Sequence, residues 1–438
     1  EIPGNGIDDD RNGYVDDIHG YNFLNPYNLE EADALMDITW GKDGDNGHGT
    51  HVAGTVAAVN NNGMGVCGVA GGTGNGDGVR LMSCQLFSGS TTATVDARAR
   101  SYKYAADMGA SILQCSFGVE AGMYGSDEEY EKIYNVEYDA LQYFIHKPNN
   151  EAINGNYVIY ASGNDAKPIA GYPAAHHEYI SVSAIGPDFL PATYTNYGPG
   201  CKIAAPGGEW LGVSGDYSTM ILSTGKGTEH PGTPSISGLN HQYVFMYGTS
   251  MACPHIAGVL ALGVSYAQKL GKTFTREQMT SMLLTSVNDI DSMLDGTKKF
   301  YESTTSFTEL PLEPYKGKMG TGAIDTWKFL MAIEGIPSVM VKAGEKSMID
   351  LSAYCNPYGT YEIKIDDASN ASLGIATTPA IKDGYLEIEC SKIGAGKITL
   401  SAAVGKDPDK ADGIGEMSYS REISIVSRAF ATNNGGWL

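Results

Sequence analysis

Between residues 79 and 206 the chain alternates short, nearly unbroken apolar runs with longer stretches of helical period, and this rhythm restricts the fold more than any other feature. Residues 79–87, 112–117, 157–161, 179–185 and 202–205 have strand length and little polar alternation, the pattern of strands covered on both faces. Residues 49–59, 93–108 and 128–144 read as helices between them. Strands separated by helices at this spacing call for parallel pairing with right-handed crossovers, so the expected fold class is α/β, a doubly wound parallel sheet. The longest apolar helix candidate is 251–270, and shorter ones follow at 276–285 and 325–335.

After Pro337 the apolar period falls to two. Segments 338–341, 347–351, 361–365, 386–390, 398–404 and 422–426 are short, alternating and separated by turn residues, which predicts a C-terminal all-β sandwich over 337–438 with the boundary near 336. Such a module on an enzyme reads as structural or as a spacer. At the other end, residues 1–47 are crowded with Gly, Asn and Asp and are expected to be loop.

Composition removes several function classes. With 42% apolar and 18% charged residues and no apolar run near 18 residues, the chain is expected to be globular, without a membrane-spanning segment. Twenty-nine Lys and Arg against 51 Asp and Glu give a net charge of −22, a field that repels phosphate backbones, so no nucleic-acid partner is expected. Seven cysteines are too few and too odd for a disulfide scaffold, and Cys84, Cys115 and Cys253 sit in apolar runs where a thiol acts as a small hydrophobe.

The chemistry concentrates in three separated segments: Asn46-Gly-His-Gly-Thr-His-Val-Ala-Gly54, Tyr160-Ala-Ser-Gly-Asn164 and Tyr247-Gly-Thr-Ser-Met-Ala-Cys-Pro-His255. A serine hydroxyl is a weak nucleophile at neutral pH and needs a base within hydrogen-bond reach, which makes Ser250 and His48 the candidate pair for acyl transfer. Ser250 precedes the long apolar helix, so backbone N–H groups and the positive dipole end lie where negative charge develops. His51 and His255 are expected to make structural hydrogen bonds. His19, His146, His176, His177, His230 and His241 read as ordinary surface or core residues. Cys253 lies one turn from Ser250 but has no electropositive neighbour to activate a thiol.

These three segments, in this order, resemble those of the subtilisin-like serine peptidases over residues 1–335. The resemblance implies a serine endopeptidase working through an acyl-enzyme on polypeptide substrates, with His48 as general base, Ser250 as nucleophile and Asn164 as side-chain donor of the oxyanion hole. It also implies that Ser116, Phe117 and Gly118 bind substrate backbone as an added strand, and that Ser162, Gly163 and Gly171 wall the pocket for the residue before the cut bond, with Asp165 and Lys167 near its rim. The family pattern places an aspartate first, at the end of an apolar strand, and this sequence does not contain that strand. None of Asp8, Asp9, Asp10, Asp16 or Asp17 follows one. The expectation is a precursor cut just before Glu1, whose N-terminal fragment stays docked and supplies the aspartate. The alternative is an inactive pseudopeptidase that binds peptides; a lipase-type esterase is disfavoured because Gly248-Thr-Ser-Met-Ala252 is not a Gly-x-Ser-x-Gly elbow.

One motif outside the three carries a separate signal. Asp8-x-Asp10-x-Asn12-Gly13-Tyr14 matches the first half of an EF-hand-type loop, with side-chain oxygens at alternate positions and a backbone carbonyl next, so calcium is the expected cofactor, with Asp17 or Asp16 completing the shell in place of the missing glutamate at position 19. The turn at 43–46 is a weaker candidate. Residues 1–10 lack the basic start and apolar stretch of a secretory signal, which fits a cytosolic, processed or fragmentary chain. Acidity, the calcium-type loop and the appended sandwich together predict export to the periplasm, cell surface or medium.

Overall fold

The computed structural model describes residues 2, 5–24, 46–89, 91–212, 215–230, 233–357, 359–404 and 417–428, in two compact units that divide between Ile324 and Asp325. The turn at 43–46 lies outside the described residues except for Asn46.

In chain order the first unit contains β1 (Gly20–Asn22), α1 (His48–Ala57), β2 (Ser83–Gln85), α2 (Val95–Asp107), β3 (Ile112–Cys115), α3 (Asp127–Ile133), α4 (Asn135–His146), β4 (Tyr157–Ala161), β5 (Ile180–Ile185) and β6 (Ile203–Pro206). It continues with β7 (Ile221–Thr224), β8 (Tyr243–Met246), α5 (Thr249–Lys269), α6 (Arg276–Thr285), β9 (Val287–Asn288) and β10 (Ala323–Ile324). A six-stranded sheet runs β9-β10-β6-β5-β4-β3, parallel throughout except for β9 against β10. Every residue of β4 and β5 is buried, which explains their unbroken apolar character.

The sheet stops at β3. Among the described residues β3 pairs with β4 alone, and Ile112, Leu113 and Gln114 are only half-buried. A second, two-stranded parallel sheet joins β1 to β2 with Gly20 opposite Ser83. The expectation of loop over 1–47 therefore needs correction at Gly20–Asn22. Gly20 has φ 128°, and a Cβ there would fall 1.8 Å from Ser83 O, so only glycine lets the two backbones meet. Phe23, just beyond, is buried with Leu86 and Tyr104.

Helix α5 crosses β3, β4, β5 and β6 and packs against α1. By length and composition it is the one helix among the described residues that could cross a membrane, but 67% of its most apolar stretch is buried inside the unit, where it serves as the core helix. The single helix expected at 128–144 is two, broken at Tyr134, whose ring packs against Tyr124 and Tyr130. The hairpin β7–β8 was not foreseen at all.

The second unit begins with α7 (Thr326–Glu334). Asp325 caps that helix through Lys328 N (3.1 Å) and holds Arg428 at 2.6 Å, and Trp327 Nε1 donates to Ser424 Oγ (2.7 Å). These bonds tie α7 to the strands after it, which is why the division falls ahead of residue 336. The strands are β11 (Ser338–Lys342), β12 (Lys346–Asp350), β13 (Glu362–Ile365), β14 (Ala380–Lys382), β15 (Tyr385–Glu389), β16 (Gly394–Val404) and β17 (Met417–Arg428), with α8 (Asp367–Leu373) between β13 and β14. They form a four-stranded sheet, β11-β17-β16-β13, and a three-stranded one, β12-β15-β14; all pairs are antiparallel except β11 with β17. Ile349, Leu386 and Ile388 from one sheet meet Ile398, Leu400, Ile423 and Ile425 from the other in one buried cluster.

Candidate active site

Three elements of the first unit deliver the three motif residues to one place. His48 is the first residue of α1, whose opening N–H is satisfied by Asn46 Oδ1 at 3.1 Å. Helix α1 is pressed onto β7: Ser223 Oγ donates to His51 O and Thr224 Oγ1 to Thr50 O, both at 2.7 Å. Gly54 is what allows this approach, since a Cβ there would lie 2.1 Å from Thr224 Oγ1. Removal from water pushes the His48 pKa below 6.5, which favours the neutral imidazole that a general base must be.

Ser250 is the second residue of α5. Pro254, four residues on, has no N–H and so leaves the Ser250 carbonyl without its intrahelical donor. Ser116 Oγ takes the vacant place at 2.7 Å, and Ser250 Oγ donates in return to Ser116 O at 3.3 Å. The proline thus couples Ser250 to the segment after β3. The observed bond from Ser250 Oγ runs to Ser116 rather than to His48.

Asn164 follows β4. Its Oδ1 accepts from both Thr249 N (2.9 Å) and Thr249 Oγ1 (2.8 Å), which turns the amide Nδ2 away as an available donor. Gly248 lies beside it with φ 149°; a Cβ there would stand 3.7 Å from Asn164 Nδ2 and from Ser250 N alike. A side chain at 248 would therefore touch both of those nitrogens. His48, Asn164 and Ser250 line a cavity of about 620 Å³ together with Tyr247 of the third motif and with Trp210 and Phe245, aromatic residues that no sequence motif announced.

The remaining expected residues lie on adjoining walls. Val119 N donates to Tyr172 O (2.8 Å) and Gly171 N to Ser162 O (2.9 Å), so the segments at 116–119, 162–164 and 171–172 are tied together. Gly118 and Gly171 sit at close approaches: Cβ atoms there would come within 3.0 Å of Tyr172 O and 2.4 Å of Val119 O. The Phe117 ring packs against Phe87 and Tyr160, and Ser162 is fully buried, so both offer backbone rather than side chain. Asp165 Oδ2 accepts from Ala121 N, and Lys167 bonds Glu120 and Ala121 O. His51 is fully buried with Nε2 on Ile221 O (2.9 Å), and its pKa falls to about 4 through desolvation; His255 Nδ1 meets Met251 O. Burial pushes the Cys253 thiol up to about 12, which keeps it an inert hydrophobe.

The acidic loop is ordered on its own amides. Asp8 accepts from Asn12 N (3.0 Å) and Gly13 N (2.8 Å), Asp10 accepts from Asn12 N (3.1 Å), and Asn12 Oδ1 accepts from Tyr14 N (2.7 Å). Asp17 is 3% exposed, one oxygen meets Asn12 Nδ2 at 2.8 Å and the other, Oδ1, is buried without a partner. Asp16 turns instead to Asn5 N and Gly6 N.

The model of the subtilase family matches residues 24–308. Thermitase of Thermoactinomyces vulgaris is 31% identical over 217 residues, covering 50% of this chain and 61% of that protein. An extracellular protease of Xanthomonas campestris is 32% identical over 228 residues, covering 50% of this chain and 33% of its own. The chain therefore spans about half the length of the curated relatives it matches. Among solved structures, the epidermin leader peptide processing serine protease from Staphylococcus aureus aligns at TM-score 0.47 and 21% identity over 71% of this chain and 69% of that one.

Proposed function

The chain belongs to the subtilase family, and from that premise we propose that it is a serine endopeptidase acting through an acyl-enzyme. The observation that carries this reading is the shared cavity of His48, Asn164 and Ser250, with the asparagine tethered by its oxygen so that its N–H₂ is left to donate elsewhere. Ser250 Oγ leaves Ser116 O and attacks the scissile carbonyl carbon as His48 takes its proton; the oxyanion is received by Ser250 N–H and Asn164 Nδ2. Collapse expels the amine, protonated by His48, and water repeats the sequence on the ester. Ser116, Phe117 and Gly118 receive substrate backbone, and Ser162, Gly163 and Gly171 border the pocket before the cut bond; the hydrogen bonds joining these segments support that assignment.

We propose that the third triad member comes from a strand outside the described residues, carried by an N-terminal fragment of the same precursor. Support comes from the one-sided pairing of β3 and the separate β1–β2 sheet, which leave two parallel edges for one more parallel strand. We further propose that Asp8, Asp10, Asn12, Tyr14 and Asp17 hold a calcium ion, supported by their alternating oxygen side chains and by the buried, unpartnered Asp17 Oδ1. There the ion would contribute cross-linking of the loop. We read the second unit as a β-sandwich built on two sheets over one core, and infer export, supported by the extracellular name of the Xanthomonas relative. A fluorophosphonate should label Ser250 stoichiometrically and spare Ser250→Ala. Labelling that survives the substitution would overturn the assignment; a labelled protein without turnover would be a peptide binder instead.

A further inference from the structure

We propose that Asn196, distant in sequence from all three motifs, is the positioning residue of the oxyanion site, fixing the loop that presents Asn164 to substrate. The inference rests on the peptidase reading above. Asn196 lies between β5 and β6, is fully buried, and spends its whole carboxamide on the loop at 162–167. Its Oδ1 accepts from Asp165 N and Lys167 N, both at 3.0 Å; its Nδ2 donates to Ser162 O (3.0 Å) and Asp165 Oδ2 (2.9 Å). Its backbone N donates to Gly163 O at 3.0 Å. A carboxamide has two acceptor and two donor positions, and all four are used on residues flanking Asn164 on both sides.

The loop needs such a clamp. Gly163 has φ 108° and Ala166 φ 51°, so Asn164 stands between two left-handed residues, one of them not glycine, in a conformation a free loop would not hold. Gly163 in turn makes room for the clamp: a Cβ there would lie 2.3 Å from Asn196 Nδ2. The far end of Asn164 is already fastened to Thr249, so Asn196 sets the backbone end and the two anchors together aim Nδ2. A donor displaced by about 1 Å loses on the order of 100-fold in rate, because preorganisation is what such a site supplies.

The test is a double-mutant cycle on the full chain, reading the rate of fluorophosphonate labelling of Ser250, kcat and KM on a peptide substrate, and Tm. Asn196→Ala should lower kcat and the labelling rate about 10- to 100-fold with KM within about 3-fold, while in an Asn164→Ala background it should cost less than about 3-fold. Equal losses in both backgrounds would show a general structural effect and overturn the proposal, as would no loss. Should Asn196→Ala fail to fold, the same cycle runs on exposed Asp165→Ala, which removes one acceptor of Asn196 Nδ2; a loss of about 3- to 10-fold that vanishes without Asn164 supports the role, and a persistent or absent loss sinks it. Wild-type protein that never labels would sink the peptidase reading as well, whereas a labelling wild type with an unimpaired Asn196→Ala sinks this inference alone.

Discussion

Gly248 separates catalysis from stability at a single position. A methyl group there meets no atom closer than 3.7 Å, yet it touches both proposed oxyanion donors, Asn164 Nδ2 and Ser250 N, and demands a backbone that side chains avoid. Gly248→Ala should therefore lower kcat at least 10²-fold, the scale of losing one oxyanion donor, while a urea titration finds a loss of about 1–3 kcal/mol. His51 makes the opposite case. Its folded pKa of about 4 lies below the unfolded 6.5, so its contribution is intact above pH 6.5 and is lost as pH falls toward 4, where the unfolded chain binds a proton that the folded chain refuses. Unfolding free energy should drop by about 3 kcal/mol across that window on this account, and His51→Gln should flatten the dependence. His48, Asn164 and Ser250 were legible because their chemistry comes with local glycines and a helix start. Pro254 and Asn196 were not, because what they do lies in which distant group receives a hydrogen bond.

Elements with a local signature were read well, and those that depend on a distant partner were not. Tyr157–Ala161 and Arg276–Thr285 match their expected bounds, the first an unbroken apolar run and the second fixed by a Thr275–Gln278 capping box. The β7–β8 hairpin was missed because its eighteen-residue connection carries no tight-turn signal, and α8 because a run of Asp, Ala, Ser and Asn has little apolar period beyond Leu373. The hairpin nevertheless positions His48, the proposed general base, since α1 rests on β7. Gly54→Ala should force these two apart, costing about 1–3 kcal/mol by overpacking and lowering kcat/KM more than Tm alone would suggest. A variant with unchanged melting and turnover would show that the contact relaxes freely.

At the scale of the molecule, alternation of strands and helices was enough to give the parallel sheet, and a period of two was enough to separate the second unit, but neither could show where the sheet is interrupted. If calcium pins the acidic loop near β1, a chelator should lower Tm by several degrees, and Asp17→Asn should remove that sensitivity; an unchanged melt would leave the loop a solvated turn. The edge at β3 has a colloidal consequence too. Among the described residues the side of β3 away from β4 is as ready for the edge of another copy as for the proposed extra strand, and a charge of −22 opposes that encounter over a screening length of about 10 Å at 0.1 M salt. Light scattering should find preparations lacking the docked strand dispersed at low ionic strength and clustering as salt rises, while those holding it stay dispersed throughout.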